Sequence, residues 1–389
     1  MKISRIAGLI ALATLAGCQQ TKGSQTYSAA SQTNASSVII GKAAEDFTDA
    51  DIEVPAYFST QGLEFCHFEQ GSAETDSRCP LAKKTVRIYF SDVKNEVAGD
   101  ATGTVFKDIS ASINAYDIKA LENALENQFA GVNRFRILTR DNRIVNKAME
   151  EIINEEGLDV VADKRDNSQK LTTDYLINVD VLKTADMMYG AKHSLYSSSI
   201  DYSTSVLDPY TKEKLSYPNI GRIKVNNFDV REKEKFTSVI VNGDYYRGFN
   251  YASASDVTAV YNSMATRGFD IMLSRLLTEM PATGQVSGIR GDRVVLDRGQ
   301  NAGVLPNETM VIFEYSAGFV DPVGVARFSP SAIGAQGKIV RWKDSKIADN
   351  IRDQAEEGRY IPTRDARLFA VSVGVPAEFL MERSTWSAN

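Results

Sequence analysis

The sequence predicts an α+β protein, in which an αβ sandwich is followed by a small all-β module. Before residue 281, strand patterns alternate with amphipathic helix patterns, and a long helix pattern closes this part of the chain. After residue 281, short strand patterns with glycine-containing turns follow, and such a series is typical of a small barrel or sandwich. The 389 residues, 43% of them apolar and 24% charged, suit about two globular domains.

The first residues have the pattern of an export signal. Lys2 and Arg5 provide positive charge, and the apolar run Ile6–Leu15 is too short to span a bilayer as a helix. The run ends in Leu-Ala-Gly-Cys at Leu15–Cys18, which resembles the lipobox of bacterial lipoprotein precursors. The resemblance implies a signal peptide at 1–17 and a palmitate-type lipid on Cys18. The alternatives are an ordinary secretory signal and a buried N-terminal helix.

Attachment to a membrane is predicted to depend on that lipid. No later stretch of the sequence is apolar over the roughly 18 residues that a transmembrane helix needs. Gln19 follows the cysteine, and within the lipoprotein resemblance this implies sorting to the outer membrane, with the chain facing the periplasm. Residues 18–44 are rich in Ser, Thr, Gln and Asn, so they are predicted to form a disordered tether.

Cys66 and Cys79 lie in a polar stretch and are the cysteines that remain after Cys18. An exported protein meets an oxidising compartment, so a close pair predicts a disulfide. Two free thiols, or a metal site that includes His67, are the alternatives. A metal site is disfavoured because it needs three or four ligands, and the other histidine, His193, is distant in sequence.

Residues 45–282 are predicted to form the αβ domain, with the disulfide loop before its first strand. Alternating or β-rich runs predict its strands: Thr85–Phe90, Phe135–Thr139, Tyr175–Leu182 and further antiparallel strands in 195–250. Apolar residues at three- and four-residue spacing predict its helices: Tyr116–Ala130, Asn142–Gly157 and Ser255–Glu279. The apolar face of the second helix includes Ala148, Met149, Ile152 and Ile153.

Residues 283–389 are predicted to form the β-rich module. The change of composition after Pro281 sets the boundary, because proline cannot continue the preceding helix. Two short strands are expected around Arg290–Asp292. Further strands are expected at Thr309–Tyr315, Gly324–Phe328, Gly337–Trp342 and Arg367–Val373.

An ordered set of motifs resembles the CsgG-like envelope lipoproteins, named for curli production, and their relatives with the TolB N-terminal fold. Asn133–Arg140 is similar to that family's F-x-V-L-x-R strand, and Thr173–Asn178 to its A-D-Y-L-I-x-G strand. Val206–Ser216 is similar to its L-x-D-x-x-T-G-E-V-x-x-S hairpin, with Lys212 in place of the turn glycine. The resemblance covers about 83–282 and implies an αβ sandwich.

The C-terminal module resembles, more distantly, that of flagellar assembly protein T. The similar residues are Gly284–Val286, Asp297–Gly299 and Gly303–Pro306. Because that protein also carries a TolB-like domain, the two resemblances agree with each other.

Several kinds of activity are disfavoured by the composition. The net charge of −6 and the lack of a basic block argue against a nucleic-acid partner. The chain has two histidines and no Gly-x-Ser-x-Gly motif, so we expect no catalytic site, cofactor or metal. The Glu150–Glu151 and Glu155–Glu156 pairs are expected to be a solvated helix face.

Together these observations predict a non-enzymatic lipoprotein of the outer membrane. The family resemblance implies an assembly or secretion component of the curli or flagellar-ring kind, whose partners are other envelope proteins or further copies in a ring. The alternative is a periplasmic lipoprotein that regulates an envelope enzyme such as a peptidoglycan synthase, because such activators share the fold and the tether.

Overall fold

The structure is a computed structural model, and it describes residues 38–66, 78–98, 118–139, 142–157, 172–189, 195–215, 220–230, 236–250 and 254–380. All of them belong to one compact unit, Asn34–Asn389. They form an eight-stranded mixed sheet with helices and a closed six-stranded barrel, so the predicted α+β class is confirmed. Within the described residues, no helix is both long and apolar enough to cross a membrane.

The eight-stranded sheet is built from the first half of the described chain. Its strands are β1 (Thr85–Ala98), β2 (Arg136–Ile137), β3 (Tyr175–Tyr189), β4 (Leu195–Leu207), β5 (Lys214–Leu215), β6 (Arg222–Asn226), β7 (Phe236–Val241) and β8 (Asp244–Asn250). Its helices are α1 (Ile118–Val132), α2 (Asn142–Glu156) and α3 (Ala254–Glu279).

The sheet is parallel at one end and antiparallel at the other. Both β2 and β3 pair in parallel with β1. Parallel pairing needs a long crossover connection between strands, and the helices provide it: α1 lies between β1 and β2 in the chain, and α2 lies between β2 and β3. From β3 the order continues antiparallel through β4, β8 and β7, while β5 and β6 also pair with β4.

The hydrophobic core of this part lies between the sheet and the helices α1 and α3. Alternate β1 residues Val86, Ile88 and Phe90 are buried against the α1 residues Leu121, Leu125 and Phe129. The two-residue spacing of a strand face predicts the first set, and the four-residue spacing of a helix face predicts the second. Helix α2 differs: its Ala148 is exposed, and Ile152 is 37% exposed. The apolar face predicted for this helix is therefore only partly covered by the described chain.

The barrel is formed by the last third of the chain. Its strands are β9 (Thr283–Arg290), β10 (Arg293–Leu296), β11 (Glu308–Ser316), β12 (Phe319–Pro330), β13 (Ala335–Trp342) and β14 (Arg367–Ser372), and they close in the order β10-β13-β12-β11-β14-β9. The module is not all-β as predicted, because α4 (Lys346–Glu357) packs Ala348 and Ile351 into the barrel core. The Ser345 side chain caps this helix by accepting a hydrogen bond from the backbone N–H of Ala348.

Residues 44–66 and 78–81, the disulfide segment, contain three short 3-10 turns and cover the outer side of β11 and β14. The sequence assigns this segment to the αβ domain, whereas its buried residues pack on the barrel. Met310 and Ile312 point into the barrel core, whereas the alternate residues Val311 and Phe313 belong to a second cluster. That cluster is completed by Phe47, Ile52, Leu63, Leu81 and the two cysteines. Strand β11 is thus buried on both faces, which explains its continuous apolar run Met310–Phe313.

Candidate functional site

The predicted disulfide is present. Cys66 and Cys79 are bonded, with their Cα atoms 4.9 Å apart, and both are fully buried. The alternative of two free thiols is therefore wrong. Cys18, the predicted lipid attachment residue, lies outside the described residues, and so does His67. The lipid on Cys18 stays a prediction.

Polar contacts fasten the disulfide segment to the barrel. A guanidinium nitrogen of Arg367 on β14 donates to the Cys66 carbonyl at 3.1 Å. The Tyr315 hydroxyl on β11 donates to the Glu64 carboxylate at 3.2 Å. On the segment itself, the Arg78 guanidinium lies 4.0 Å from the centre of the Phe65 ring. The disulfide thus closes a loop whose two ends lie on the barrel.

The most highly organised cluster of charges joins the sheet part to the barrel. Arg134, two residues after α1, pairs with Glu308 at the start of β11, at 2.8 Å, and their side chains are only 4% and 0% exposed. The same guanidinium donates to the carbonyls of Gly303 at 2.7 Å and Leu277 at 3.2 Å. Arg134 therefore contacts α3, the turn before β11 and β11 itself.

The Glu308 carboxylate is satisfied on both oxygens. Its Oε2 accepts from the backbone N–H of Leu305 at 2.6 Å, and its Oε1 accepts from the Ser372 hydroxyl at 2.5 Å. A buried ion pair with this many hydrogen bonds recovers much of the desolvation cost of its charges. Loss of either partner would leave an unpaired charge inside the protein.

Further contacts lie around the Arg134–Glu308 pair, at the junction of the sheet part with the barrel. Lys83 donates to the Asn133 side chain at 2.5 Å and to the Asn301 carbonyl at 3.2 Å. Burial, with a smaller contribution from the nearby Arg136 charge, lowers the pKa of Lys83 to about 8. Gly303 has a φ of 73°, and a Cβ there would lie 2.5 Å from the Arg134 Cα. The two parts approach so closely that only glycine fits at this position.

A cleft of about 390 Å³ lies on the sheet. Its charged lining residues are Lys94, Asp180, Asp201 and Arg222. Asp201 forms an ion pair with Arg222 through one carboxylate oxygen, while the other oxygen is buried without a hydrogen bond from the described residues. In the part of the chain that the structure describes, no group of three or more His, Cys, Asp and Glu side chains is placed to hold a metal ion.

Sequence reasoning did not find the junction. Arg134 lies in the Asn133–Arg140 motif without a role assigned to it, and Glu308 begins an apolar strand. A carboxylate in the same strand as the apolar run Met310–Phe313 is the signal that could have indicated a buried, paired charge. The partner could not be found in this way, because the two residues are 174 positions apart.

The whole chain has little similarity to known proteins. No protein-family model matches it, and no curated protein matches it. Among solved structures, the crystal structure of a lipoprotein from Neisseria meningitidis is similar over 37% of this chain and 82% of that chain, with 14% identity and a TM-score of 0.17. A similarity this low assigns neither a fold nor a function.

Proposed function

We propose that this protein is a non-enzymatic lipoprotein of the cell envelope, held at the outer membrane by a lipid on Cys18 and facing the periplasm. The observation that carries the proposal is the order of features at Lys2–Cys18: positive charge, a short apolar run, small residues and a cysteine. Residues 38–44 of the predicted tether contact the folded part, because Ile39 and Gly41 are hydrogen-bonded to Ser274 and Val375 and Ala44 is buried. The proposed tether is therefore 18–37, which would give the folded part reach, at up to about 3.3–3.6 Å per extended residue.

Within the envelope, the protein acts as an assembly or secretion component that docks other proteins or further copies of itself. The positions of the CsgG-like motifs support this. Asn133–Arg140 contains β2, Thr173–Asn178 contains the start of β3, and Val206–Ser216 contains the β4–β5 turn. The sheet and the barrel are also joined by a buried ion pair, an arrangement that suits a rigid scaffold.

Membrane fractionation tests the anchor. The variant Cys18→Ala should leave the membrane fraction, because the acylated side chain is lost. The control Gln19→Asp keeps Cys18 and should remain membrane-bound, with a shift toward the inner membrane. Retention of Cys18→Ala in the outer membrane after removal of the signal would contradict the lipid anchor.

The mass of the full chain in mild detergent tests the assembly role. Multi-angle light scattering should give a particle of several copies, or a complex with a co-purified envelope protein after crosslinking. A monomer without a crosslinked assembly partner would contradict this role. Activation of a peptidoglycan synthase by that monomer would support the regulatory alternative instead.

A further inference from the structure

A cleft of about 380 Å³ lies on the outer surface of the barrel, at the β9–β10 hairpin. Three arginines line it: Arg290 at the end of β9, Arg293 at the start of β10, and Arg359 beyond α4. Arg359 is held beside β9 because its neighbour Tyr360 exchanges two backbone hydrogen bonds with Ile289, each 2.9 Å long. The third arginine is thus fixed next to the hairpin by backbone pairing.

The hairpin places like charges directly opposite each other. Arg290 and Arg293 are cross-strand partners, and Arg293 is in turn opposite Lys338 on β13. Like charges in such positions repel each other and destabilise a sheet. The row formed by Arg290, Arg293 and Lys338 across three neighbouring strands therefore destabilises the fold. An anion bound beside this row would reduce the repulsion between its charges.

None of the three arginines has an ion-pair partner among the described residues. Arg134, Arg222 and Arg327, by contrast, each pair with a carboxylate. The acid within the hairpin turn, Asp292, lies 3.5 Å from Lys338 instead. In a chain with a net charge of −6, this cleft is a local concentration of unpaired positive charge.

The side chains that line the cleft indicate which kind of ligand it would bind. Its polar side chains are the three arginines, Ser287 and Gln336, so all of them can donate hydrogen bonds and none is an acid. The planar guanidinium matches the oxygens of phosphate in a two-bond geometry. We propose that this cleft binds a phosphate group, held by Arg290, Arg293 and Arg359. The assignment goes beyond the proposed function, because it gives the barrel a ligand site.

Isothermal titration calorimetry on the full chain in neutral detergent at low salt tests the site. One arm uses inorganic pyrophosphate, and the other uses soluble dihexanoyl-phosphatidylglycerol, whose headgroup phosphate is a diester. The triple variant Arg290→Gln, Arg293→Gln, Arg359→Gln should weaken binding at least about tenfold, because each charge-assisted hydrogen bond to the anion is lost. All three side chains are exposed, so folding should be retained.

A matched control removes the same charge elsewhere. The variant Lys147→Gln, Lys214→Gln, Arg364→Gln changes three exposed cations outside the cleft and should bind as the parent chain does. Binding of pyrophosphate alone would support a free, water-soluble phosphate as the ligand, and binding of the lipid alone or more tightly would support a lipid headgroup.

Two results would overturn the site. One is a parent chain that binds neither probe. The other is an equal loss of affinity in the cleft variant and the control, which would indicate general charge attraction. As a second measurement, the bound probe should raise the unfolding temperature of the parent chain but not that of the cleft variant.

Discussion

At the scale of single residues, Lys212 has a backbone conformation that usually belongs to glycine. Its φ is 63°, in the tight β4–β5 turn. The Asp208 side chain organises that turn by accepting from the backbone N–H groups of Tyr210 at 2.7 Å and Thr211 at 3.1 Å. This left-handed conformation favours glycine over a residue that carries a side chain.

The variant Lys212→Gly should raise the free energy of unfolding by about 0.5–1 kcal/mol. A side chain in this conformation costs about 1–2 kcal/mol, and the greater freedom of glycine in the unfolded chain offsets part of the gain. Urea denaturation measures the change. Lys214→Gly, in strand β5, is the control and should be destabilising; a loss of stability in Lys212→Gly would contradict the explanation.

Asp297 should make the stability depend on pH. Burial raises its pKa from 3.8 to about 6, although the adjacent Arg298 charge and a hydrogen bond from the Gln285 N–H oppose the rise. The folded state therefore holds the proton more tightly than the unfolded chain. This contribution to stability is fully present below about pH 4 and is lost as the pH rises through about 6, by at most about 3 kcal/mol.

The variant Asp297→Asn tests this pH dependence, because it keeps the oxygen that accepts from Gln285 and removes the titration. Unfolding by urea at intervals from pH 4 to 7 should show a shallower decline than in the parent chain. The comparison uses the slope with pH, which is independent of any constant offset from the changed contact with Arg298. Equal slopes in both proteins would rule out Asp297 as the source.

At the scale of elements, the disulfide segment and the barrel strand β11 depend on each other. The segment supplies Phe47, Ile52 and Leu63 to the cluster that covers Val311 and Phe313. Closing a loop with a sequence separation of 13 residues restricts the unfolded chain, which is the main source of stabilisation in the chain-entropy model.

Replacing both cysteines, Cys66→Ala with Cys79→Ala, should lower the free energy of unfolding by about 3 kcal/mol. Hydrogen exchange at Val311 and Phe313 should accelerate, because the covering segment is less restrained. Reduction of the parent chain with a thiol should reproduce the loss, whereas the variant should not respond to the thiol. Unchanged exchange on β11 would show that the segment stays in place without the bond.

Periodicity alone predicts the long elements of this fold. Helices α1 and α3 lie where their apolar spacing predicts them. Strands β1 and β3 begin at the predicted residues, Thr85 and Tyr175, but extend beyond the predicted ends to Ala98 and Tyr189. Helix α4 is missed because charged and polar residues dominate it, although Ser345 is a recognisable N-cap. Strand β2 is shorter than predicted, at two residues. The junction cannot be predicted locally, because its partners meet only after both parts have folded.

At the scale of the whole molecule, the Arg134–Glu308 pair couples the sheet part to the barrel. The variant Arg134→Met should cost about 3–5 kcal/mol, because it leaves the Glu308 charge buried without its partner. Adding Glu308→Gln removes that charge. The double variant should therefore lose less stability than the two single variants together, as a double-mutant cycle would measure by urea unfolding.

A second measurement tests whether the pair couples the unfolding of the sheet part to that of the barrel. In a Trp386→Phe background, which leaves Trp342 as the one tryptophan, unfolding of Arg134→Met followed by far-ultraviolet circular dichroism and by tryptophan fluorescence should give two transitions that no longer coincide. Coincident transitions and strictly additive losses would mean that the pair does not couple the two parts.

Gly41, at the start of the described chain, crosses Gly374, two residues beyond β14, at close range, and this crossing has a mechanical consequence. Gly41 donates from its N–H to the Val375 carbonyl at 2.9 Å, and a Cβ on Gly41 would lie 2.8 Å from the Gly374 backbone. Two residues earlier, the Ile39 N–H donates to the Ser274 hydroxyl on α3 at 3.2 Å. Tension from the proposed lipid anchor would enter at this crossing and be shared at once by helix α3 and the chain that follows β14. The load would therefore not separate the strands of the sheet one after another, starting at β1.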